Sequence, residues 1–283
     1  RPRLLDGATG TNLRLAGMPV GVCSEAWILD HPEPLQDLQR AYVAAGSELV
    51  IAPTFGANRV LLAHHGLEQH VAPLNRALVA ISREAVGETA LVAGDLTTTG
   101  QPVPSGDDAA YKSLLSVYTE QAEAQLEAGV DLFLIETLMG LTESMAALEA
   151  VRALCDLPIL CSFSVQTDGQ CYFDGNLFEA AEILPELGAD AIGVYCSTGP
   201  DLLVSVVSGV RAACALPVLA KPNAGLPTMT EDGRAVYSMG PEDFARHMRR
   251  LVDSGATLVG GCCGTTPAHI RALHSALSPA DKA

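Results

Sequence analysis

Gly129-Val130-Asp131-Leu132-Phe133-Leu134-Ile135-Glu136 and Gly188-Ala189-Asp190-Ala191-Ile192-Gly193-Val194-Tyr195 are one phrase written twice. Each opens on glycine, crosses two residues ending in aspartate, and enters a short apolar run that stops at a polar side chain. Glycine after a helix is the usual left-handed cap, so each phrase reads as helix end, turn and strand. Gly46 leads in the same way to Leu49-Val50-Ile51-Ala52, and Gly255 to Leu258-Val259. A second phrase, Arg152-Ala153-Leu154-Cys155-Asp156-Leu157-Pro158-Ile159-Leu160, returns as Arg211-Ala212-Ala213-Cys214-Ala215-Leu216-Pro217-Val218-Leu219. Both phrases recur at an offset of 59 residues, 129 to 188 and 152 to 211. A unit of that length holds two β-α pairs.

Outward from these phrases, eight short apolar runs are found: Leu4-Leu5, Leu49–Ala52, Leu91–Ala93, Leu132–Ile135, Ile159–Cys161, Ala191–Val194, Val218–Ala220 and Leu258-Val259. Helical patterns separate them. Tyr111, Leu114, Leu115 and Tyr118 fall at i, i+3, i+4 and i+7, continued by Ala122 and Leu126, which predicts a helix over 111–126. Short continuous apolar strands alternating with helices mean a parallel sheet covered on both faces. Eight such units in 283 residues predict an α/β fold, a single-domain (β/α)8 TIM barrel over 1–277 with a tail at 278–283. A doubly wound open sheet is the alternative, but no G-x-G-x-x-G follows the first strand.

The bulk properties narrow the function. Hydrophobic residues make up 48% of the chain, enough for a large core, and the formal net charge is −16. Binding to nucleic-acid phosphates needs clustered Lys and Arg; the chain has no such cluster. No run of 18 apolar residues suggests a membrane span. The opening Arg1-Pro2-Arg3-Leu4-Leu5-Asp6-Gly7 is too poor in apolar residues for a secretory leader. Eight cysteines without such a leader read as thiols or metal ligands in a reducing cytoplasm.

Polar residues stand where the runs stop: Asp6-Gly7, Pro53-Thr54-Phe55, Asp95, Glu136-Thr137, Ser162 and Ser164, Cys196, Lys221-Pro222-Asn223, and Cys262-Cys263. In a barrel of this type the catalytic groups gather at those ends, so Cys196 shares one mouth with Cys262 and Cys263. Three thiolates suit a soft or borderline cation such as zinc and leave one coordination position open, the mark of a catalytic site. A thiol taken into that position loses its proton near neutral pH and stays nucleophilic. The chemistry implied is alkyl transfer onto sulfur. A Cys-Cys pair also suits small buried hydrophobes; Cys196 and the flanking Gly260, Gly261 and Gly264 favour ligands. Glu136 closes four apolar residues and would be costly to bury without a partner, which points to ligand binding. Asp6 either caps a turn or faces a ligand. Lys221 keeps a Schiff-base lyase open as an alternative. No Gly-x-Ser-x-Gly is present. His64, His65 and His70 read as an exposed helix end, His269 and His274 as the surface of the last helix, and Cys155 and Cys214 as filler.

Taken together, Asp6-Gly7-Ala8-Thr9-Gly10-Thr11, Thr54-Phe55-Gly56-Ala57-Asn58, Ile135-Glu136-Thr137, Cys196, Pro222-Asn223-Ala224-Gly225-Leu226-Pro227 and Gly260-Gly261-Cys262-Cys263-Gly264-Thr265-Thr266-Pro267 resemble the zinc-dependent homocysteine S-methyltransferases, in order, from about residue 3 to 275. The resemblance implies a (β/α)8 barrel and Zn2+ held by Cys196, Cys262 and Cys263. It also implies that Asp6 and Glu136 hold the amino group of homocysteine, which would become methionine. Pro222–Pro227 is most similar to the homocysteine module of cobalamin-dependent methionine synthase, which takes methyl from methylcobalamin on another domain. This chain has no room for such a domain. The expected donor is therefore a methylcorrinoid on a separate protein or on a segment missing from this chain, or a small sulfonium or betaine. Three departures stand at the mouth and keep open the alternative of a methyltransferase of the same mechanism acting on a different thiol or as the partner of a corrinoid protein: Tyr195 where the family has Asn, Ala52-Pro53 where it has Thr-Asn, and Asp95-Leu96-Thr97-Thr98-Thr99-Gly100 in place of a Gly-Pro segment.

Overall fold

The structure is a computed structural model describing residues 1–104, 106–230 and 235–278. At its centre is a parallel barrel. In chain order the staves are β1 (Arg3–Leu4), β2 (Leu49–Ile51), β3 (Leu91–Thr97), β4 (Leu132–Leu138), β5 (Ile159–Phe163), β6 (Ala191–Tyr195) and β7 (Val218–Lys221). A hairpin, β8 (Pro227–Met229) with β9 (Ala235–Tyr237), precedes the last stave, β10 (Ala256–Val259). Hydrogen-bonded neighbours run β1-β10-β7-β6-β5-β4-β3-β2. The ring closes where Leu5 bridges Leu49 in parallel and Glu48 N–H donates to Leu4 O at 2.8 Å. The molecule is thus a (β/α)8 barrel, and each apolar run lies on one stave.

The helices are α1 (Gly10–Leu15), α2 (Ser24–Asp30), α3 (Pro32–Ala45), α4 (Arg59–Ala63), α5 (Val71–Val86), α6 (Asp108–Glu127), α7 (Leu141–Arg152), α8 (Leu177–Ile183), α9 (Val204–Ala213), α10 (Pro241–Asp253) and α11 (Pro267–Leu277). The helix predicted over 111–126 lies inside α6. The Asp107 carboxylate fixes its start by accepting the N–H groups of Ala109 and Ala110. Helix α3 ends at Gly46 with φ 114°, a left-handed conformation that costs other residues a Cβ clash. No helix among the described residues is long and apolar enough to cross a membrane. Of the expected tail, Ser278 follows α11, and 279–283 lie outside the described residues.

Because strand side chains alternate, the barrel has two apolar layers. Leu5, Ile51, Ala93, Leu134, Leu160 and Leu219 fill its interior. Val92, Phe133, Ile135, Ile159 and Val194 point the other way and pack under the helices with Leu148, Leu184 and Phe244. Each fully buried Leu, Ile or Phe adds roughly 1.5–3 kcal/mol. Above this filled interior, the cavity lies at the end where the strands stop.

Candidate metal and substrate site

Cys196 follows β6, while Cys262 and Cys263 follow β10. Their Sγ atoms all lie within 4.8 Å of one another, with Cys196 to Cys263 at 3.6 Å and Cys262 to Cys263 at 3.8 Å. The backbone is bent to bring them there. Cys196 has φ 50°, rare for a residue with a Cβ, and its N–H is held by Lys221 O at 3.1 Å. In the second loop, Gly261 N–H donates to Asp6 O at 3.0 Å and Cys262 N–H to Pro222 O at 2.8 Å. The Thr265 hydroxyl donates to Cys262 O at 2.7 Å. A Cβ on Gly261 would stand 2.5 Å from Thr265 Oγ1, so this turn closes only on glycine.

Three sulfurs this close cannot all be anions without a cation. Hydrogen bonds from Cys196 and Cys262 pull the Cys263 thiol down to about 3, whereas burial and its thiol neighbours push Cys262 well above its usual range. A divalent cation would release the remaining protons.

Beside the sulfurs lies a cavity of about 340 Å3, within the ~300–1,000 Å3 range of small-ligand sites. Glu136, Asp95, Tyr195 and the three cysteines line it, together with the exposed Arg14 and Phe55. Glu136 sits where the β4–β5 register breaks between Ile135 and Leu138, next to Thr137 at φ 58°. A bulge of this kind re-aims a side chain. Burial raises the Glu136 carboxyl to about 7, against hydrogen bonds that favour its charged form. Asp95 is raised well above the carboxylate range, first by burial and then by the charge of Glu136.

Asp6 reaches the same end of the barrel but turns its side chain elsewhere. Its Oδ1 accepts from Lys221 Nζ at 2.6 Å and its Oδ2 from Ile51 N–H at 2.9 Å. Gly7 and Ala8 line the cavity at this place. Lys221 is fully buried, donates also to Asp6 O at 2.9 Å, and lies 5.2 Å from the centre of the Tyr195 ring. A Schiff-base lysine must present a free amine to a carbonyl. The Lys221 amine is enclosed and charge-paired, so the lyase alternative has no support here.

Other expectations meet different outcomes. His64, His65 and His70 are exposed. His269, expected on a helix surface, is buried: it completes the capping box with Thr266 at the start of α11, and its Nε2 lies 3.0 Å from Met239 O. Glu25 was not singled out in the sequence; it lines the cavity and accepts from Gly56 N–H at 2.7 Å. It lies in a helix with no run of strand residues to mark it. Asp95 did carry a signal, since it follows an apolar run as Glu136 does.

Comparison with known proteins places this geometry. The pattern of the homocysteine S-methyltransferase family matches residues 3–277. The methionine synthase of Mycobacterium tuberculosis is 31% identical over 291 aligned residues, covering 96% of this chain and 24% of that protein. The chain thus spans about a quarter of the length of the curated relatives it matches. The homocysteine methyltransferase MmuM from Escherichia coli, in its oxidized form, superposes with a TM-score of 0.83 at 25% identity, covering 97% of this chain and 95% of that one. Its metallated form superposes with a TM-score of 0.80 at 25% identity, over 97% and 96%. Matched from its first stave to its last helix, this chain belongs to the homocysteine S-methyltransferase family.

Proposed function

We propose that this chain transfers a methyl group to the thiol of homocysteine, giving methionine, with zinc held by Cys196, Cys262 and Cys263. The observation that carries this reading is the meeting of three sulfurs beside a cavity walled by Glu136. Sulfurs around a tetrahedral zinc with Zn–S bonds near 2.3 Å stand about 3.8 Å apart. The separations of 3.6 and 3.8 Å in this chain suit that spacing. When bound, zinc supplies acidity to the acceptor thiol while leaving its sulfur nucleophilic.

The chain's own residues bind and orient. Glu136 faces the cavity and takes the amino group of the acceptor. Asp6, the second carboxylate that the resemblance assigns to this group, stands behind Gly7 and Ala8 with Lys221 as its counter-ion. Held at its amino end, the acceptor presents sulfur to the methyl carbon. A carbon–sulfur bond forms as the donor–methyl bond breaks, and the thiol proton passes to solvent. Positioning of this kind replaces an encounter of two free reactants with one prearranged step. The donor is a methylcorrinoid on another protein or module, or a small sulfonium or betaine. Eight free cysteines suit the reducing cytoplasm.

The test is metal analysis of the purified chain followed by methionine formation from homocysteine. S-methylmethionine, S-adenosylmethionine, betaine and methylcobalamin are tried as donors. Stoichiometric zinc and turnover with at least one donor are expected, both lost in Cys262→Ala. A Cys262→Ala protein with full zinc and full turnover contradicts the reading.

A further inference from the structure

Tyr237 ends β9, the second strand of a hairpin that stands outside the eight staves. The hairpin is anchored on the loop that carries two of the cysteines. Tyr237 pairs with Pro227, Met239 N–H donates to Ala224 O at 3.0 Å, and Ala224 N–H donates to Cys263 O at 2.9 Å. The Tyr237 ring rests on Gly264, where a Cβ would stand 2.2 Å from the ring's Cγ. Glycine is therefore required at 264 twice over, by its φ of 80° and by the ring lying on it. Around this seat Pro227, Thr228, Met229, Ala235 and Val236 are exposed, whereas Tyr237 is half-buried.

The seat brings the Tyr237 hydroxyl into a hydrogen bond with the Cys263 sulfur. Cys263 lines the acceptor cavity and Tyr237 does not, so the phenol meets this sulfur from outside the cavity. The other side-chain partners of Cys263 are the Cys196 and Cys262 sulfurs, at 3.6 and 3.8 Å. Those two bonds use thiol protons, which a divalent cation held by all three sulfurs displaces. A phenol, with an ordinary pKa of about 10, keeps its proton at neutral pH. Tyr237 is thus the side-chain donor to Cys263 that outlasts metal binding. A thiolate that accepts a hydrogen bond gives less charge to its metal. Three thiolates leave a zinc site net negative, and drawing charge from one of them favours entry of a further thiolate.

We propose that Tyr237 tunes the metal site through Cys263: its hydroxyl donates to the Cys263 thiolate of the loaded protein and draws charge from that ligand, so that the cation takes up the acceptor thiol more readily. This rests on the reading of the three cysteines as zinc ligands. It gives the β8–β9 hairpin a part in the reaction.

The test replaces zinc with cobalt(II), whose sulfur-to-metal charge-transfer band reports on the ligand sulfurs. Tyr237→Phe keeps a ring on Gly264 and removes only the hydroxyl. A hydrogen bond lowers the energy of the sulfur electrons, so the band is expected at longer wavelength in Tyr237→Phe than in wild type. Replacing Tyr237 with 3-fluorotyrosine, a stronger donor of nearly the same shape, moves the band to shorter wavelength and serves should the Phe protein fail to fold. With zinc, KM for homocysteine rises about 3- to 10-fold in Tyr237→Phe, the order of one hydrogen bond, and kcat changes less. A band unmoved in both altered proteins, or an unchanged KM in Tyr237→Phe, overturns the role of Tyr237. A wild-type cobalt protein without a sulfur band overturns the metal reading itself, and this inference with it.

Discussion

Glu136 carries a raised pKa of about 7 because it is buried at the end of an apolar strand. Two consequences follow from the sign of that shift. An ammonium ligand needs the carboxylate, so L-methionine affinity should fall by up to about tenfold per pH unit as pH drops below 7, and depend less on pH in Glu136→Gln. Calorimetry between pH 6 and 8.5 reads this directly; equal slopes in the two proteins contradict it. For stability, the folded state binds more protons than the unfolded chain between the ordinary value of 4.5 and about 7. Stability from this group is therefore greatest below 4.5 and lost as pH rises to 7, by about 3 kcal/mol in all. Glu136→Gln should stabilise the ligand-free protein at pH 8 and lose that advantage near pH 4.5, measured by urea unfolding at the two values. In sequence, Glu136 and the three cysteines were legible because each interrupts an apolar run at a strand end. The state of Asp6 was not, since its partner Lys221 lies 215 residues away and only the closed barrel brings them together.

The segment Thr97-Thr98-Thr99 at the end of β3, one of the three departures from the family pattern, is held by one buried acid. Glu143, in the first turn of α7, accepts from Thr98 Oγ1 at 2.6 Å, Thr99 N–H at 2.7 Å, Thr99 Oγ1 at 2.7 Å and Tyr118 OH at 2.8 Å. Thr97 Oγ1 donates to Glu136 O at 3.0 Å, tying the same segment to the site. Glu143→Ala leaves the Thr98 hydroxyl and the Thr99 N–H and hydroxyl without this partner and should cost at least ~3 kcal/mol. It should also weaken L-methionine binding through the displaced β3 end. A loss under 1 kcal/mol by urea unfolding would mean that the segment is held by other contacts. Strands and caps were readable here because a doubly covered parallel sheet writes continuous apolar runs punctuated by glycine. The β8–β9 hairpin was not: Met229 is 63% exposed and Val236 52%, so no buried periodicity marks it.

At the scale of the whole molecule, the barrel closes through its first stave, and the Asp6–Lys221 pair ties that stave to β7 across β10. Lys221→Met leaves a buried carboxylate without its counter-charge and should cost about 3–5 kcal/mol. Adding Asp6→Asn should recover part of that loss, because the two residues act as one unit; additive losses in urea melts would show that they do not. Fold class was written in the sequence by the eightfold alternation and its 59-residue repeat. The site needed the closed ring, since its groups come from β3, β4, β6 and β10. What the ring assembles is a three-sulfur site beside an acid-lined cavity, and the central claim is that zinc binds there with room for the acceptor's sulfur. Zinc X-ray absorption of the loaded protein tests it most directly. The account predicts three sulfur neighbours plus one lighter atom in the free protein, changing to four sulfurs when homocysteine is added. Fewer than three sulfurs, or a spectrum unmoved by homocysteine, would contradict it.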